Sequence, residues 1–136
     1  MVRPLHRLRR VPDILIVDDD KQVVSVLTDI LQHTSREYRV STSPDATRAL
    51  DSVKRQRPDV VLLDVEMPGM DGVDALQHIK AVDGSIPVIM ITGSHHSRAA
   101  EALRRGALAY IPKPFDFKYI QHLVEVAVSR SRPRSG

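Results

Sequence analysis

Residues 60–72 read VVLLDVEMPGMDG, and their order decides the fold. The four apolar residues from Val60 to Leu63 suit a strand buried on both faces, not one alternating between core and solvent. A carboxylate, Asp64, ends the run. Pro68, Gly69 and Gly72 are ordinary turn residues, and from about Gly72 to Val82 the residues Val73, Leu76 and Ile79 recur at helical spacing. The unit is therefore strand, loop, helix.

The same unit repeats outward in both directions. Apolar, β-branched runs lie at Asp13 to Val17, Tyr38 to Thr42, Asp59 to Leu63, Pro87 to Ile91 and Leu108 to Ile111. A helix is expected from about Lys21 to His33, with Val24, Leu27, Ile30 and Leu31 on its apolar face. Ser43 is the expected N-cap of a second helix opened by Pro44 and continued by Ala46, Ala49, Leu50 and Val53. Ser97 to Arg105 reads as a short helix stopped by Gly106, and a last one spans roughly Asp116 to Arg130 with Ile120, Leu123, Val124 and Ala127 inward. Five alternations of strand and helix predict an α/β domain of parallel strands joined by right-handed crossovers, with helices on both faces.

Composition narrows the classes. A chain of 136 residues, 42% hydrophobic and 27% charged, fits one globular domain. No apolar run approaches the roughly 20 residues of a membrane span, and MVRPLHRLRR at 1–10 lacks the apolar core of a secretion signal. A cytoplasmic protein with no membrane partner is expected. The absence of Cys excludes disulfides, thiolate zinc sites and thiol nucleophiles, and the absence of Trp argues against a stacking platform for single strands. The net charge of +3 is misleading, because Arg3, Arg7, Arg9, Arg10, Arg130, Arg132 and Arg134 crowd the two ends. Without them, thirteen basic residues face seventeen acidic ones over 11–129, a net of −4. The body is acidic, and nucleic acid is not an expected partner for it.

Chemistry collects at the strand ends, where open α/β sheets bind their ligands. The first strand runs into Asp18, Asp19 and Asp20, the third into Asp64 and the fourth into Thr92, and Lys113 follows the fifth. Like charges side by side are costly unless a cation neutralises them. Asp20 is the best candidate to cap the next helix. Asp18, Asp19 and Asp64 form an oxygen-only set suited to Mg²⁺. A carboxylate beside such a cation can act as nucleophile towards a phosphoryl group, with Thr92 and Lys113 taking the remaining oxygens. Taken singly, Thr92 is a β-branched strand residue and Lys113 a solvated lysine; their joint placement carries the reading. His95 and His96 are adjacent and read as solvent-facing.

The stretches ILIVDDD at 14–20, VVLLDVEMPGMDG at 60–72, VIMITG at 88–93 and AYIPKPF at 109–115 resemble the receiver domain of two-component response regulators. The resemblance covers roughly residues 12–130, leaving 1–11 as a basic extension and 131–136 as a polar Arg/Ser tail that looks like the start of a linker. It implies a flavodoxin-like (βα)5 fold with strand order 2-1-3-4-5. It further implies Asp64 as phosphoacceptor, and Mg²⁺, with Mn²⁺ as an alternative, held by Asp18, Asp19, Asp64 and the Glu66 main-chain carbonyl. Thr92 and Lys113 would bind the phosphoryl group, and Tyr110 would turn inward when the threonine moves. Glu66 and Ser94 would border the phosphoryl group and tune its lifetime. The Lys113-Pro114 bond matches a family position that is usually cis.

The implied role is a phosphorelay switch and not a metabolic enzyme. It takes phosphate from a sensor histidine kinase or phosphotransfer protein and changes the 97–118 face for a downstream protein or attached output domain. A phosphorylation-dependent homodimer through 97–130 is also implied, although Arg104, Arg105, Asp116 and Lys118 read equally as solvated charges. An aspartyl-phosphate phosphatase is disfavoured by Glu66, which stands where such enzymes carry a second Asp. No GxxxxGK[ST] or GxGxxG occurs.

Overall fold

The structure, a computed structural model, describes residues 11–93 and 96–131. The basic stretch 1–10, the tail beyond 131, and Ser94 and His95 lie outside the described residues, as does the His96 side chain. Strands β1 (Asp13–Val17), β2 (Arg39–Ser43), β3 (Val60–Asp64), β4 (Val88–Thr92) and β5 (Ala109–Pro112) alternate with helices α1 (Lys21–Gln32), α2 (Ala46–Arg55), α3 (Gly72–Val82), α4 (His96–Arg104) and α5 (Phe117–Arg130). All pairings are parallel and the strand order is β2-β1-β3-β4-β5. This is the doubly wound order expected.

Two apolar layers sandwich the sheet. Ile14, Ile16, Leu62, Ile89 and Ile91 pack against Leu27 and Leu31 of α1 and Ile120 and Val124 of α5. Their neighbours in sequence, Leu15, Val61, Leu63, Val88 and Met90, face the other way, onto Ala49 and Val53 of α2, Leu76 and Ile79 of α3, and Ala102 of α4. Period-two alternation in a strand covered on both sides explains why β1, β3 and β4 are apolar at nearly every position.

Several boundaries differ from expectation. Strands β2 to β5 each begin and end one residue later than their apolar runs, because main-chain pairing continues into the polar residues Ser43, Asp64 and Thr92. Helix α2 is not capped by Ser43 or opened by Pro44. Ser43 is buried at the end of β2 with its carbonyl accepting the Asp18 N–H, and Asp45 caps the helix by accepting the Arg48 N–H at 2.8 Å. In α1 it is Val23 that is buried, while Val24 is half-buried, as is Leu123 in α5. Gly106 ends the α4 segment at φ +110°, where the Ala107 N–H bonds the Ala102 carbonyl at 3.0 Å, the closure in which a left-handed glycine follows a helix. Asp116 caps α5 through the Tyr119 N–H.

At the N-terminal edge of the sheet, Arg57 ties several connections together. It donates to Asp83 (2.8 Å), Ser85 (3.0 Å), Ser131 (3.0 Å) and the Pro58 carbonyl (3.2 Å).

Candidate functional site

Sheet register brings the strand-end residues together. Val17 pairs with Leu63, so Asp18 comes level with Asp64, and Asp64 in turn pairs with Ile91, one residue before Thr92. Main-chain bonds continue past the strands: Asp18 N–H to Ser43 (3.1 Å), Val65 N–H to Ile91 (2.9 Å) and Lys113 N–H to Thr92 (3.0 Å). Each chemical residue is therefore fixed to the sheet by its own or its neighbour's backbone.

The three acidic residues differ in duty. Asp20 caps α1, its Oδ1 accepting from Gln22 (2.9 Å) and Val23 (3.4 Å). Asp18, Asp19 and Asp64 each offer an oxygen within 4.8 Å of the others. Asp18 is buried, its Oδ1 accepts the Asp20 N–H at 2.9 Å, and its Oδ2 has no hydrogen-bond partner. Burial pushes its carboxyl above the ordinary range, partly offset by the Asp20 N–H and the charge of Lys113. Asp64 is only 9% exposed and accepts the Glu66 N–H at 3.2 Å. Loss of hydration, then the neighbouring charge of Asp18, push it up to about 7, against the weaker pull of that N–H and of Lys113.

A buried carboxylate oxygen with no donor, next to a second carboxylate that resists ionisation, is a site short of positive charge. The donors are all oxygens, so Asp18, Asp19 and Asp64 fit a hard divalent cation.

The other predicted residues stand around this cluster. Thr92 is buried and its Oγ1 has no hydrogen-bond partner. Lys113 is exposed, yet its charge reaches both Asp18 and Asp64. A side chain added at Gly93 would come within 3.8 Å of the Lys113 Cδ, so that glycine borders the lysine's path. Lys113-Pro114 is cis. The Glu66 side chain is exposed, and half-buried Tyr110 packs on the layer formed with α2, α3 and α4. Ser94 lies outside the described residues.

One residue read as a plain turn former has a sharper task. A Cβ on Gly72 would fall 2.3 Å from the Asp64 carbonyl oxygen and 2.7 Å from the Val65 Cα. Only glycine lets the start of α3 close onto the backbone of Asp64, where the Gly72 N–H bonds the Val65 carbonyl at 2.8 Å.

A family model described as the response regulator receiver domain matches residues 14–125. The chain is 40% identical over 120 residues to the transcriptional regulatory protein ZraR of Escherichia coli, covering 88% of this chain but 27% of that protein. It is 36% identical to the sporulation initiation phosphotransferase F of Bacillus subtilis, covering 82% of this chain and 90% of that one. Among solved structures it resembles the receiver domain of NtrX from Brucella abortus, at 34% identity and a TM-score of 0.80 over 86% of this chain and 98% of that one.

Proposed function

The chain belongs to the response regulator receiver domain family, and on that premise we propose that it is a phosphoaccepting switch of a two-component relay with Asp64 as phosphoacceptor. The observation that carries this reading is the convergence of Asp18, Asp19 and Asp64 beside a buried Thr92 hydroxyl that has no partner. A carboxylate oxygen of Asp64 attacks the phosphorus of a phosphohistidine; the P–O bond forms as the P–N bond breaks, and the departing imidazole takes a proton from solvent. The ionised form of Asp64 is the nucleophile, so a carboxyl raised to about 7 by burial and by Asp18 is poorly prepared until positive charge arrives.

Asp18, Asp19 and Asp64, with the Glu66 main-chain carbonyl, are the proposed ligands of Mg²⁺ or Mn²⁺. When bound there, the cation supplies charge neutralisation for the carboxylates and for the transferring phosphoryl oxygens. The Lys113 ammonium already acts on both buried carboxylates, which supports a role for it in holding a second phosphoryl oxygen. The Thr92 hydroxyl, free to donate, takes a third. Tyr110 follows the threonine, Glu66 and Ser94 tune the lifetime of the acyl phosphate, and the 97–118 face carries the change outward.

The domain, spanning 12–130, turns over nothing but its own phosphoryl group. Its donor is a sensor histidine kinase or a phosphotransfer protein, and its output passes to a downstream protein or an attached domain in the cytoplasm, with 97–130 as the dimer surface. No helix among the described residues is long and apolar enough to cross a membrane.

Acetyl phosphate with Mg²⁺ tests the assignment. Intact-mass measurement should show phosphorylated wild type and unmodified Asp64→Asn, with chelation abolishing the modification. Equal labelling of Asp64→Asn would overturn it.

A further inference from the structure

Helix α4 is attached to the domain by little apolar surface. Among the described residues its buried side chains are two alanines, Ala99 and Ala102, and Leu103 is exposed. By contrast α1 buries Val23, Leu27, Ile30 and Leu31, and α3 buries Val73, Ala75, Leu76 and Ile79. Hydrophobic stabilisation scales with buried area, so two methyl groups supply a small fraction of what those helices gain.

What α4 has in addition is a line of charges. Arg98 donates from Nη2 to Asp71 Oδ2 and from Nη1 to Glu101 Oε1 at 2.6 Å, and Arg105 Nε donates to Glu101 Oε2 at 3.1 Å. The Arg98, Asp71 and Glu101 side chains are only partly exposed. An isolated surface pair contributes little, but a connected set that shares its ordering cost does better. The far end of this line is the N-cap of α3: Asp71 Oδ1 accepts the N–H groups of Val73 (2.9 Å) and Asp74 (3.1 Å). One carboxylate thus starts α3 and anchors α4. Asp71 also closes the loop that begins at Asp64. Between that loop and α4 lies an open groove of about 520 Å³, lined by Val65, Glu66, Met67, Pro68, Asp71 and Arg98. Over this stretch the seam is bridged by the ion pair, not filled by packed side chains.

We propose that Arg98 is a positioning residue whose fork between Asp71 and Glu101 holds α4 against the loop following Asp64, and whose release lets α4 and Thr92 shift on phosphorylation. The second half rests on Asp64 being the phosphoacceptor. Helix α4 starts four residues after Thr92, so only a short stretch of chain separates the threonine from the first turn of α4. Phosphorylation of Asp64 adds about −1.5 to −2 charge at the start of the loop that Asp71 closes, and the Arg98 guanidinium is the basic group lining the groove beside that loop, which already carries Glu66 and Asp71. The fork that holds α4 at rest is thereby drawn to a new partner.

Two variants separate the clasp from general stability. R98A removes the guanidinium, whereas D71N removes only the charge, since Asn caps a helix as well as Asp does. In unphosphorylated protein, hydrogen exchange of α4 amides should accelerate about two- to fivefold in each, and the double variant should exchange no faster than either single one. The rate of modification by acetyl phosphate should rise by the same factor, because a larger fraction of molecules is already competent. R98K, which keeps the charge but loses the fork, should restore only part of the protection. Unchanged α4 exchange in R98A and D71N, or additive effects in the double variant, would overturn the clasp. Faster exchange with an unaltered modification rate would overturn its coupling to Asp64. If the wild type accepts no phosphate, the reading of Asp64 has failed while the exchange comparison still decides the clasp.

Discussion

Replacing Asp64 by Asn should make the cation-free protein more stable at neutral pH, although the residue lies at the centre of the site. The Asp64 carboxyl is raised from 3.8 to about 7 in the folded chain. Between those values the native state binds more protons than the unfolded state, so stability falls as pH rises through that window. The loss is complete above the folded value. A displacement of about three units corresponds to roughly 4 kcal/mol at 1.36 kcal/mol per unit, of which relaxation around the ionised pair returns part, leaving an expected penalty of about 2–4 kcal/mol.

Asn keeps the oxygen that accepts the Glu66 N–H and removes the charge that opposes Asp18. Urea unfolding followed by far-ultraviolet circular dichroism, with a chelator present, measures the difference. Wild type should lose stability between about pH 4 and pH 7, and Asp64→Asn should lose much less, because Asp18 alone remains elevated. Adding Mg²⁺ to about a thousand times its dissociation constant should reverse the order, since a ligand at that excess stabilises by about 4.1 kcal/mol and the variant binds it weakly. The reasoning fails if, without divalent ions near pH 7.5, the variant is no more stable than the wild type.

Four further outcomes follow from other positions. Thr92→Val replaces a buried hydroxyl that lacks a partner and should raise the stability of the unphosphorylated domain by about 1 kcal/mol in urea unfolding, while slowing modification by acetyl phosphate. Gly72→Ala forces the start of α3 off the Asp64 backbone, so thermal or urea unfolding should show a loss of about 1–3 kcal/mol, together with slower phosphorylation. Arg57→Ala strips donors from Asp83, Ser85 and Ser131 and should cost about 2–3 kcal/mol without altering the phosphorylation rate. Bonds from Ser85 and Arg57 hold Asp83 near 2, so its stabilising contribution in wild type is present above the ordinary carboxylate value and is lost only as pH falls through about 2, a window that acid titration of unfolding would reveal.

The sequence discloses most where one physical rule acts alone. Apolar, β-branched runs placed all five strands to within one residue, and Asp20 was legible as a cap because it follows a strand closely and stands one residue before a helical pattern. The gathering of Asp18, Asp64, Thr92 and Lys113 followed from the rule that parallel strands deliver their carboxyl ends to one edge. Competing signals obscured the rest. Ser43 and Asp45 both suit a cap, and only the ladder bond from Asp18 N–H to the Ser43 carbonyl shows that Ser43 still belongs to the strand. Gly72 looks like any turn glycine until the Asp64 backbone is seen beside it. Arg98 and Asp71 are 27 residues apart, and Arg57 and Ser131 are 74 apart; no local pattern records such pairs.

The backbone bonds that fix Asp18, Val65 and Lys113 to neighbouring strands separate two tasks within one small molecule. The reactive groups belong to the sheet, whose interior tolerates little change, whereas the outer faces of the helices are free to vary without disturbing those bonds. A lineage can therefore redraw what the domain recognises while leaving the phosphoryl chemistry untouched. An engineer can do the same, exchanging exposed helix residues away from the Arg98 fork to reroute a signal and expecting the chemistry beneath to run at its former pace.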